Sequence, residues 1–203
     1  MEITKFTYFY PERPGLIHID QPLFSRLSDD PAWIAEPKFN GSRLELHRLP
    51  SGIWEFWNRH GEKFNYSPSP EVSTALAEMP LEDGKYYLFD GELRHNKTVG
   101  VRQKIVLYDI FVLAGDLLTS VPFDRRRGAL EYFNKRGGCS EALTIAPQYL
   151  DGFREVFKAL ITDPEIEGLV MKRLNGRLDL GRKTAANSAW MMKVRKPNNS
   201  YRF

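Results

Sequence analysis

WIAEPKFNGSRLELHR, residues 33–48, is the stretch that decides how this chain is built, because it places a lysine between two strand-like runs. Lys38 follows an apolar run and stands just before Asn40-Gly41. Asn-Gly between strands is a strong hairpin signal, so the simplest interpretation of Lys38 is an exposed lysine beside a tight turn. The other interpretation is a nucleophile, which needs a neutral amine and therefore burial or neighbouring cations.

The composition of the chain is that of an ordinary globular domain. It has 203 residues, 42% hydrophobic and 27% charged, enough for one sizeable core. We expect no membrane contact, since no apolar run approaches the roughly 20 residues that cross a bilayer and the N-terminus lacks a signal peptide. The single cysteine, Cys139, fits an intracellular compartment such as the cytoplasm or nucleoid. The net charge of +3 is compatible with a polyanionic partner but does not by itself indicate one.

Strand signals dominate the chain. Alternating residues predict a hairpin over 43–48 and 53–59, with LPSG as its turn. Further strands are predicted over 85–95, 104–113, 168–174 and 189–195. The second of these is almost wholly apolar, as a strand buried on both faces would be.

Helices are predicted between the strands from their N-cap signals. Ser69 and Pro70 begin the first helix, Asp124 caps RRRGALEYFNKR, and Asp151 caps GFREVFKALIT. Strands and helices that mix without a regular alternation predict an α+β domain.

Two cations near the end of the chain suit a phosphate group. Lys193 and Arg195 stand two apart on a predicted strand, so both point from one face. Alone, such a pair is most simply a solvated strand edge. Close to Lys38, the two cations would bind a phosphate, Arg195 bidentately, and would favour the neutral lysine amine.

Two acids and one aromatic residue complete the candidate constellation. Glu92 and Glu167 each stand beside a glycine at an apolar strand, and Asp90 shares a strand face with Glu92. They are either surface acids at turns or a carboxylate pair that holds Mg²⁺ or a ribose hydroxyl. Tyr108, inside the apolar strand, is most simply a core residue, although its ring could stack on a nucleobase.

Taken in order, six motifs resemble those of the covalent nucleotidyltransferase superfamily, which contains ATP-dependent DNA ligases, RNA ligases and mRNA capping enzymes. They are EPKFNGSR (36–43), NRHG (58–61), FDGEL (89–93), VLYDIFVL (106–113), EGLVMK (167–172) and WMMKVRKP (190–197). The flanking stretch YDIFVLAGDLLTSVPFDRRRGALE (108–131) is most similar to DNA ligases. The resemblance implies a nucleotidyltransferase (ATP-grasp-like) domain with antiparallel sheets flanked by helices around a nucleotide cleft.

The resemblance also implies a role for each matching position. Lys38 would be the nucleophile that takes AMP as a phosphoramide. ATP or AMP would be bound through its base, its ribose and its phosphates. Glu36 would contact the adenine and Tyr108 would stack on its ring. Contacts to the ribose or a phosphate would come from Arg43, Arg59 and Glu92, contacts to the phosphates from Lys172, Lys193 and Arg195, and a further contact to the nucleotide from Glu167. Glu92 and Glu167 would also position the metal. A separate prediction concerns Arg125, Arg126 and Arg127. These three arginines either lie in a solvated first turn of a helix or bind the backbone phosphates of a nucleic acid.

The function implied by the resemblance is an ATP-dependent DNA ligase core over residues 1–203. It would use ATP and Mg²⁺ or Mn²⁺ to seal 5′-phosphate/3′-hydroxyl nicks in duplex nucleic acid, DNA favoured over RNA, during DNA repair or replication. We expect a monomer with one domain and no OB-fold domain, so a separate OB-fold or other DNA-binding partner would supply that function. An RNA ligase, a GTP-using capping enzyme and a non-catalytic module that binds nucleotides or nucleic-acid ends are the alternatives.

Two positions depart from the DNA ligase pattern. Asn40 stands where these ligases usually carry Asp, which removes a negative charge near Lys38. Some RNA-joining members of the superfamily accept Asn here, so the residue favours the RNA alternative. Arg195 replaces the usual second lysine and keeps its charge.

Overall fold

Two β-sheets joined through the Lys38 segment form the frame of the protein. The computed structural model describes residues 2–94, 103–180 and 187–197. Their strands are β1 (Arg13–Leu16), β2 (Trp33–Phe39), β3 (Ser42–Arg48), β4 (Trp54–Asn58), β5 (Tyr87–Arg94), β6 (Lys104–Leu113), β7 (Asp116–Leu117), β8 (Leu143–Ile145), β9 (Ile166–Arg173) and β10 (Asn187–Arg195). Their helices are α1 (Pro22–Ser28), α2 (Pro70–Ala77), α3 (Phe123–Lys135) and α4 (Phe153–Leu160). The predicted α+β class is confirmed.

The two sheets differ in size. The first has the strand order β1-β10-β9-β2, and the second has β4-β3-β5-β6-β7 with β8 beside β6. Most neighbouring strands are antiparallel, as predicted, but β1 is parallel to β10 and β8 is parallel to β6. These two pairs are the exceptions to the predicted antiparallel pairing. Each contains a strand of only four or three residues, too short to show a periodic pattern in the sequence.

The predicted strands are observed with small changes at their ends. The hairpin over 43–48 and 53–59 is β3 and β4, which pair from Leu44 with Asn58 to Arg48 with Trp54. β6 has the predicted bounds and is mostly buried on both faces. The strand predicted over 85–95 is β5, and its last predicted residue, His95, lies outside the described residues.

The Asn40-Gly41 step is the place where the chain leaves one sheet and enters the other. β2 pairs with β9, whereas β3 pairs with β4 and β5. Neither Asn40 nor Gly41 is among the described residues with positive φ, which a type I′ hairpin turn requires. The predicted hairpin turn is therefore wrong. A Cβ on Gly41 would lie 2.6 Å from Glu92 Cγ and 2.8 Å from the Leu93 carbonyl oxygen, so glycine permits β5 to approach this crossing.

Each sheet buries one face under helices. The second sheet packs residues such as Leu44 and Leu46 against α2 and α3, while the first packs Ala35 and Met171 against α1 and α4. A third apolar cluster joins the two sheets, because it contains Ile34, Met191 and Trp190 of the first sheet and Leu88 and Phe111 of the second. The remaining inner faces carry polar residues and form the walls of a cleft.

One of the three predicted helix starts is confirmed. Ser69 is the N-cap of α2, and its hydroxyl accepts a hydrogen bond from Val72 N at 3.4 Å. α3 begins earlier than predicted, after Pro122, because the carbonyls of Gly176 and Leu174 accept from Phe123 N and Asp124 N. Asp124 therefore lies inside the first turn.

The start of α4 also differs from the prediction. Gly152, with φ 60°, is the N-cap of this helix in place of Asp151. The sequence analysis did not predict α1, which begins with Pro22 at its first position. No helix among the described residues is long and apolar enough to cross a bilayer.

Candidate active site

The register of the first sheet places five of the predicted site residues on one face. Lys38 and Arg195 both lie opposite Gly168 of the central strand β9, while Glu36 and Lys193 both lie opposite Val170. Residues paired across strands share a face, and the face alternates along each strand. Lys172, two positions beyond Val170, therefore belongs to the same face. The other face carries Ala35, Leu169 and Met171 into the core, so the charged face is turned to the cleft.

Lys38 is held by an acid from the neighbouring strand. Its amine donates to the Glu167 carboxylate, and Arg195 Nη2 lies 3.6 Å from the same oxygen, Oε2. β9 bulges at Glu167, since Lys38 pairs with Gly168 and the next residue, Phe39, pairs with Ile166. Gly168 has φ 151°, and a Cβ there would collide with the Val194 carbonyl, so the bulge needs glycine. The side chains of Lys38 and Glu167 are 19% and 21% exposed and remain accessible to a substrate.

Further cations converge on Lys193. Burial lowers the pKa of Lys193, and repulsion by Arg195, Lys38, Arg13 and Arg59 lowers the pKa further. Repulsion of this kind acts over short distances, so Arg195, Lys38, Arg13 and Arg59 each lie near Lys193. The predicted phosphate-binding residues Lys193 and Arg195 are therefore brought together with Lys38 and Arg59, whereas Lys172, also predicted at the phosphates, lies with Glu36 and Tyr108. Arg13, exposed on β1, joins them although its isolated position in the sequence gave no signal.

The second sheet supplies an arginine and two acids to the opposite wall. Arg43 pairs with Glu92 in the register of β3 and β5, and its guanidinium binds both carboxylate oxygens of Asp90, with Nη2 2.7 Å from Oδ2. Burial raises the pKa of Asp90 although Arg43 opposes the increase. Asp90, the weaker member of the predicted acids, thus orients Arg43. Glu92 borders Gly41, so it lies beside the segment that carries Lys38.

Tyr108 is turned toward the cleft by a second bulge. Leu107 pairs with Gly91 and Asp109 with Asp90, which leaves Tyr108 as the extra residue of β6. Its ring is half-buried, and Lys172 of the first sheet lies 5.4 Å from the ring centre. Burial raises the pKa of the Tyr108 hydroxyl far above its ordinary value, with repulsion by Glu92 as the next cause. Tyr108 is therefore a neutral ring between the two walls and not a residue of the central core.

Glu36 is almost fully enclosed. It is 1% exposed, with Lys172 Nζ 2.7 Å from Oε2 and Arg127 Nη1 3.5 Å from Oε1. Gln148 Nε2 donates to Oε1 at 3.0 Å. Lys172 thus contacts Glu36 of the first sheet and Tyr108 of the second, so these three residues lie together.

Two of the three arginines predicted to contact nucleic acid have other partners. Arg126 is fully buried, and its Nε and Nη2 each bind an Asp109 carboxylate oxygen at 2.8 Å. Arg127 is buried between Glu36 and Glu131. The prediction is wrong for these two residues, because the inner face of α3 packs against β6 and the cleft. Arg125 alone of the three is exposed, and its contact to nucleic acid stays a prediction.

Comparisons with known proteins agree with this geometry. The chain is 26% identical over 171 residues to a probable DNA ligase of Dictyoglomus thermophilum, a match that covers 72% of this chain and 28% of that protein. It is 22% identical over 222 residues to DNA ligase 1 of Schizosaccharomyces pombe, covering 96% of this chain and 28% of the relative. The chain thus spans under a third of the length of these curated relatives. No family model matches the chain.

Solved structures share the fold over nearly the whole chain. Mycobacterial DNA ligase D complexed with ATP and MES matches with a TM-score of 0.69 at 18% identity, over 94% of this chain and 61% of that chain. An archaeal ATP-dependent RNA ligase matches with a TM-score of 0.56 at 16% identity, over 93% of this chain and 48% of that chain. The chain thus shares its fold with these ligase structures. Because the relatives in sequence are DNA ligases, the predicted resemblance to the adenylation domain of ATP-dependent DNA ligases is confirmed.

Proposed function

We propose that this chain is the adenylation core of an ATP-dependent polynucleotide ligase that joins nicks in DNA. The observation that supports it best is the position of Lys38 in the cleft. On one side lie Lys193 and Arg195, which suit phosphates, and on the other lie Glu36 and Tyr108, which suit a base. A nucleotide bound between them would present its α-phosphate to the lysine amine.

The first step is transfer of AMP to Lys38. The amine nitrogen attacks the α-phosphorus of ATP, a P–N bond forms, the bond to the β-phosphate oxygen breaks, and pyrophosphate leaves with that electron pair. The amine loses a proton in the step. Such chemistry depends on in-line positioning and charge stabilisation, which Lys193 and Arg195 provide from the same sheet face.

Glu167 controls access to the nucleophile. Its carboxylate lies against the Lys38 amine and beside Arg195, in the space that an α-phosphate would enter. Phosphate and carboxylate are both anions, so binding of ATP displaces Glu167 from the two cations. The displaced carboxylate is then available to a cation that accompanies the nucleotide.

The carboxylates fit Mg²⁺ or Mn²⁺ as part of a nucleotide complex. No group of three His, Cys, Asp or Glu side chains that could hold a metal alone occurs among residues 2–94, 103–180 and 187–197. Mg²⁺ is commonly bound by one or two carboxylates together with substrate phosphates, and Glu92 and Glu167 both border the Lys38–Gly41 segment. When bound, the ion would offset the negative charge of the phosphates.

In the later steps AMP passes from Lys38 to the 5′-phosphate of a nick, and the 3′-hydroxyl then attacks that phosphate and releases AMP. Duplex DNA with a nick is the substrate we propose, with repair or replication as the setting. We also propose that the core is a monomer inside the cell and that an OB-fold domain or other DNA-binding partner assists nick binding.

The first test is covalent labelling. Protein is incubated with α-labelled ATP and Mg²⁺, denatured and separated, and the retained label is measured. Wild type is expected to retain label and Lys38→Ala to retain none. Lys158→Ala, an exposed lysine on α4, is the matched control and should label like wild type. Equal labelling of Lys38→Ala and wild type would reject Lys38 as the nucleophile, and an unlabelled wild type would favour a binding module.

An RNA-joining activity is the second candidate, favoured by Asn40 and compatible with the fold shared with an archaeal RNA ligase. Nicked duplexes of identical sequence, one DNA and one RNA, distinguish the two candidates. Faster sealing of the DNA nick is expected, and preferential sealing of the RNA nick would replace our proposal with this one.

A further inference from the structure

We infer that Gln148 is a positioning residue that sets the preference of the pocket for a purine with a 6-amino group, through the carboxylate of Glu36. This inference rests on the proposed use of ATP and assigns the base selectivity to a residue outside all six motifs. Gln148 lies between β8 and α4, and its side chain is half-buried.

Backbone pairing places Gln148 opposite Glu36. Ala35 and Tyr149 form an isolated antiparallel bridge with two reciprocal hydrogen bonds, each 2.9 Å between nitrogen and oxygen. In an antiparallel bridge, the residue after Ala35 faces the residue before Tyr149, and both point to the face opposite that of the bridge pair. Ala35 and Tyr149 pack in the core cluster beneath the first sheet. Glu36 and Gln148 therefore meet on the cleft side.

The hydrogen bond between them has one possible direction. An ionised carboxylate only accepts hydrogen bonds, so the amide must present Nε2 to Glu36 Oε1, as observed at 3.0 Å. This bond therefore fixes which end of the amide faces Glu36. It also holds Oε1, while Lys172 holds Oε2 at 2.7 Å. The carboxylate plane is thereby set by contacts on both oxygens.

A carboxylate held in this way discriminates between purine bases. It accepts a hydrogen bond from the 6-amino group of adenine, whereas the 6-oxo group of guanine presents another acceptor and is repelled. Lys172 and Arg127 offset the charge of Glu36, which lowers the free-energy cost of burying this carboxylate. The carboxylate can therefore lie in a buried site and contact the base. Removal of the Gln148 amide leaves Arg127, at 3.5 Å, as the partner of Oε1 among the described residues, and the carboxylate becomes free to rotate.

The experiment compares two nucleotides that differ only in the 6-amino group. Rates of lysyl-nucleotide formation are measured for ATP and purine riboside 5′-triphosphate with wild type, Gln148→Ala and the control Gln21→Ala. Gln21 is exposed at the start of α1. For Gln148→Ala, kcat/KM for ATP is expected to fall about tenfold, mainly through KM, since one hydrogen bond to a charged group is impaired. The value for the analogue should change less than about twofold on the same reasoning.

The outcomes separate this inference from the proposed function. An equal fall for both nucleotides, or no change for either, would overturn the role of Gln148 while leaving the ligase proposal intact. A wild type that forms no adduct with ATP would overturn the ligase proposal. In that case equilibrium titration with ATP and with the analogue still tests the role of Gln148. A smaller preference for ATP over the analogue, measured as the ratio of their Kd values, in Gln148→Ala than in wild type supports the inference, and an unchanged ratio rejects it.

Discussion

At the scale of single residues, the site depends on groups from other strands that reach Lys38 and the segment that follows it. Glu167 reaches it through the bulge of β9, and Glu92 reaches the same segment because Gly41 has no side chain. Neither contact follows from distance along the sequence, since Glu167 is 129 residues from Lys38. The lysine is therefore positioned by close backbone approach at two glycines, Gly41 and Gly168.

Gly41→Ala is expected to destabilise the protein and impair adenylation. The added Cβ would lie 2.8 Å from the Leu93 carbonyl oxygen, so backbone must move, at a cost of about 1–3 kcal/mol. Gly128→Ala on α3 is the control, because its Cβ would meet nothing within 4 Å and alanine favours the helix by about 1 kcal/mol. Urea unfolding and lysyl-AMP formation measure the two effects. A Gly41→Ala protein as stable as wild type would contradict the close approach.

A buried histidine predicts how stability depends on pH. His47 is fully buried on β3, with Nδ1 2.5 Å from the Tyr86 hydroxyl and Nε2 3.4 Å from Glu45 Oε2. Burial lowers its pKa to about 3, although Glu55 opposes the decrease. His47 takes up a proton near pH 6.5 in the unfolded chain but only near pH 3 in the folded chain. Its contribution to the free energy of unfolding is therefore fully present above pH 6.5 and is lost as the pH falls toward 3.

His47→Leu should remove this acid sensitivity. The wild-type slope due to His47 is at most about 1.4 kcal/mol per pH unit between those limits. Glu45 acts in the opposite direction, because burial raises its pKa and its contribution is lost as pH rises. Unfolding free energies across pH 4–7 are compared for wild type, His47→Leu and the exposed control His18→Leu. Equal slopes in all three would show that His47 is not the group responsible.

At the scale of elements, α3 joins the second sheet to the cleft. Its inner face carries Arg126 to Asp109 on β6 and Arg127 to Glu36 on β2, while Arg125 faces outward. The Arg126 guanidinium also donates to the carbonyls of Val121 and Gly176. A run of three arginines thus contains two structural residues and one surface residue, because a helix turns each successive side chain by about 100°.

Arg126→Ala is expected to lower the free energy of unfolding by about 3–5 kcal/mol, since it leaves the buried Asp109 carboxylate without its partner. Arg125→Ala should change it by less than about 0.5 kcal/mol because that side chain is exposed. Chemical denaturation measures both. Similar losses for the two variants would contradict the buried ion pair, and nicked-DNA affinity of the Arg125 variant tests its predicted contact.

At the scale of the whole molecule, the cleft is lined by both sheets. Lys172 from the first sheet contacts Tyr108 of the second, and a shared apolar cluster closes the space beneath them. A nucleotide in the cleft would therefore contact both sheets at once. In this arrangement Lys38 on one sheet and Arg43 on the other would contact the same ligand.

Nucleotide binding should accordingly stabilise the fold as a unit. At about 100 times its Kd, α,β-methylene-ATP, which cannot adenylate Lys38, is expected to add about 2.7 kcal/mol to the free energy of unfolding. Inorganic triphosphate, the control, contacts only the cation end and should protect less at the same concentration. Hydrogen exchange of β2 and β5 measures the effect in each sheet. Protection confined to one sheet would contradict a shared cleft.

The sequence by itself determined the local features of the protein. The hairpin of β3 and β4 and the bounds of β6 follow from side-chain alternation and an apolar run, and α2 follows from Ser69-Pro70. The motif order also indicated the resemblance to DNA ligases. These features can be predicted from the sequence because they depend on residues that are close together in the chain.

Only the tertiary structure decided which distant groups meet. Asn40-Gly41 crosses between sheets instead of turning a hairpin, and the start of α3 is set by carbonyls about 50 residues away, such as that of Gly176. The same holds for Arg126 on Asp109 and for Gln148 on Glu36. Strand register and the packing of helices determine these contacts, because one residue of register shift would turn each side chain to the other face of its sheet.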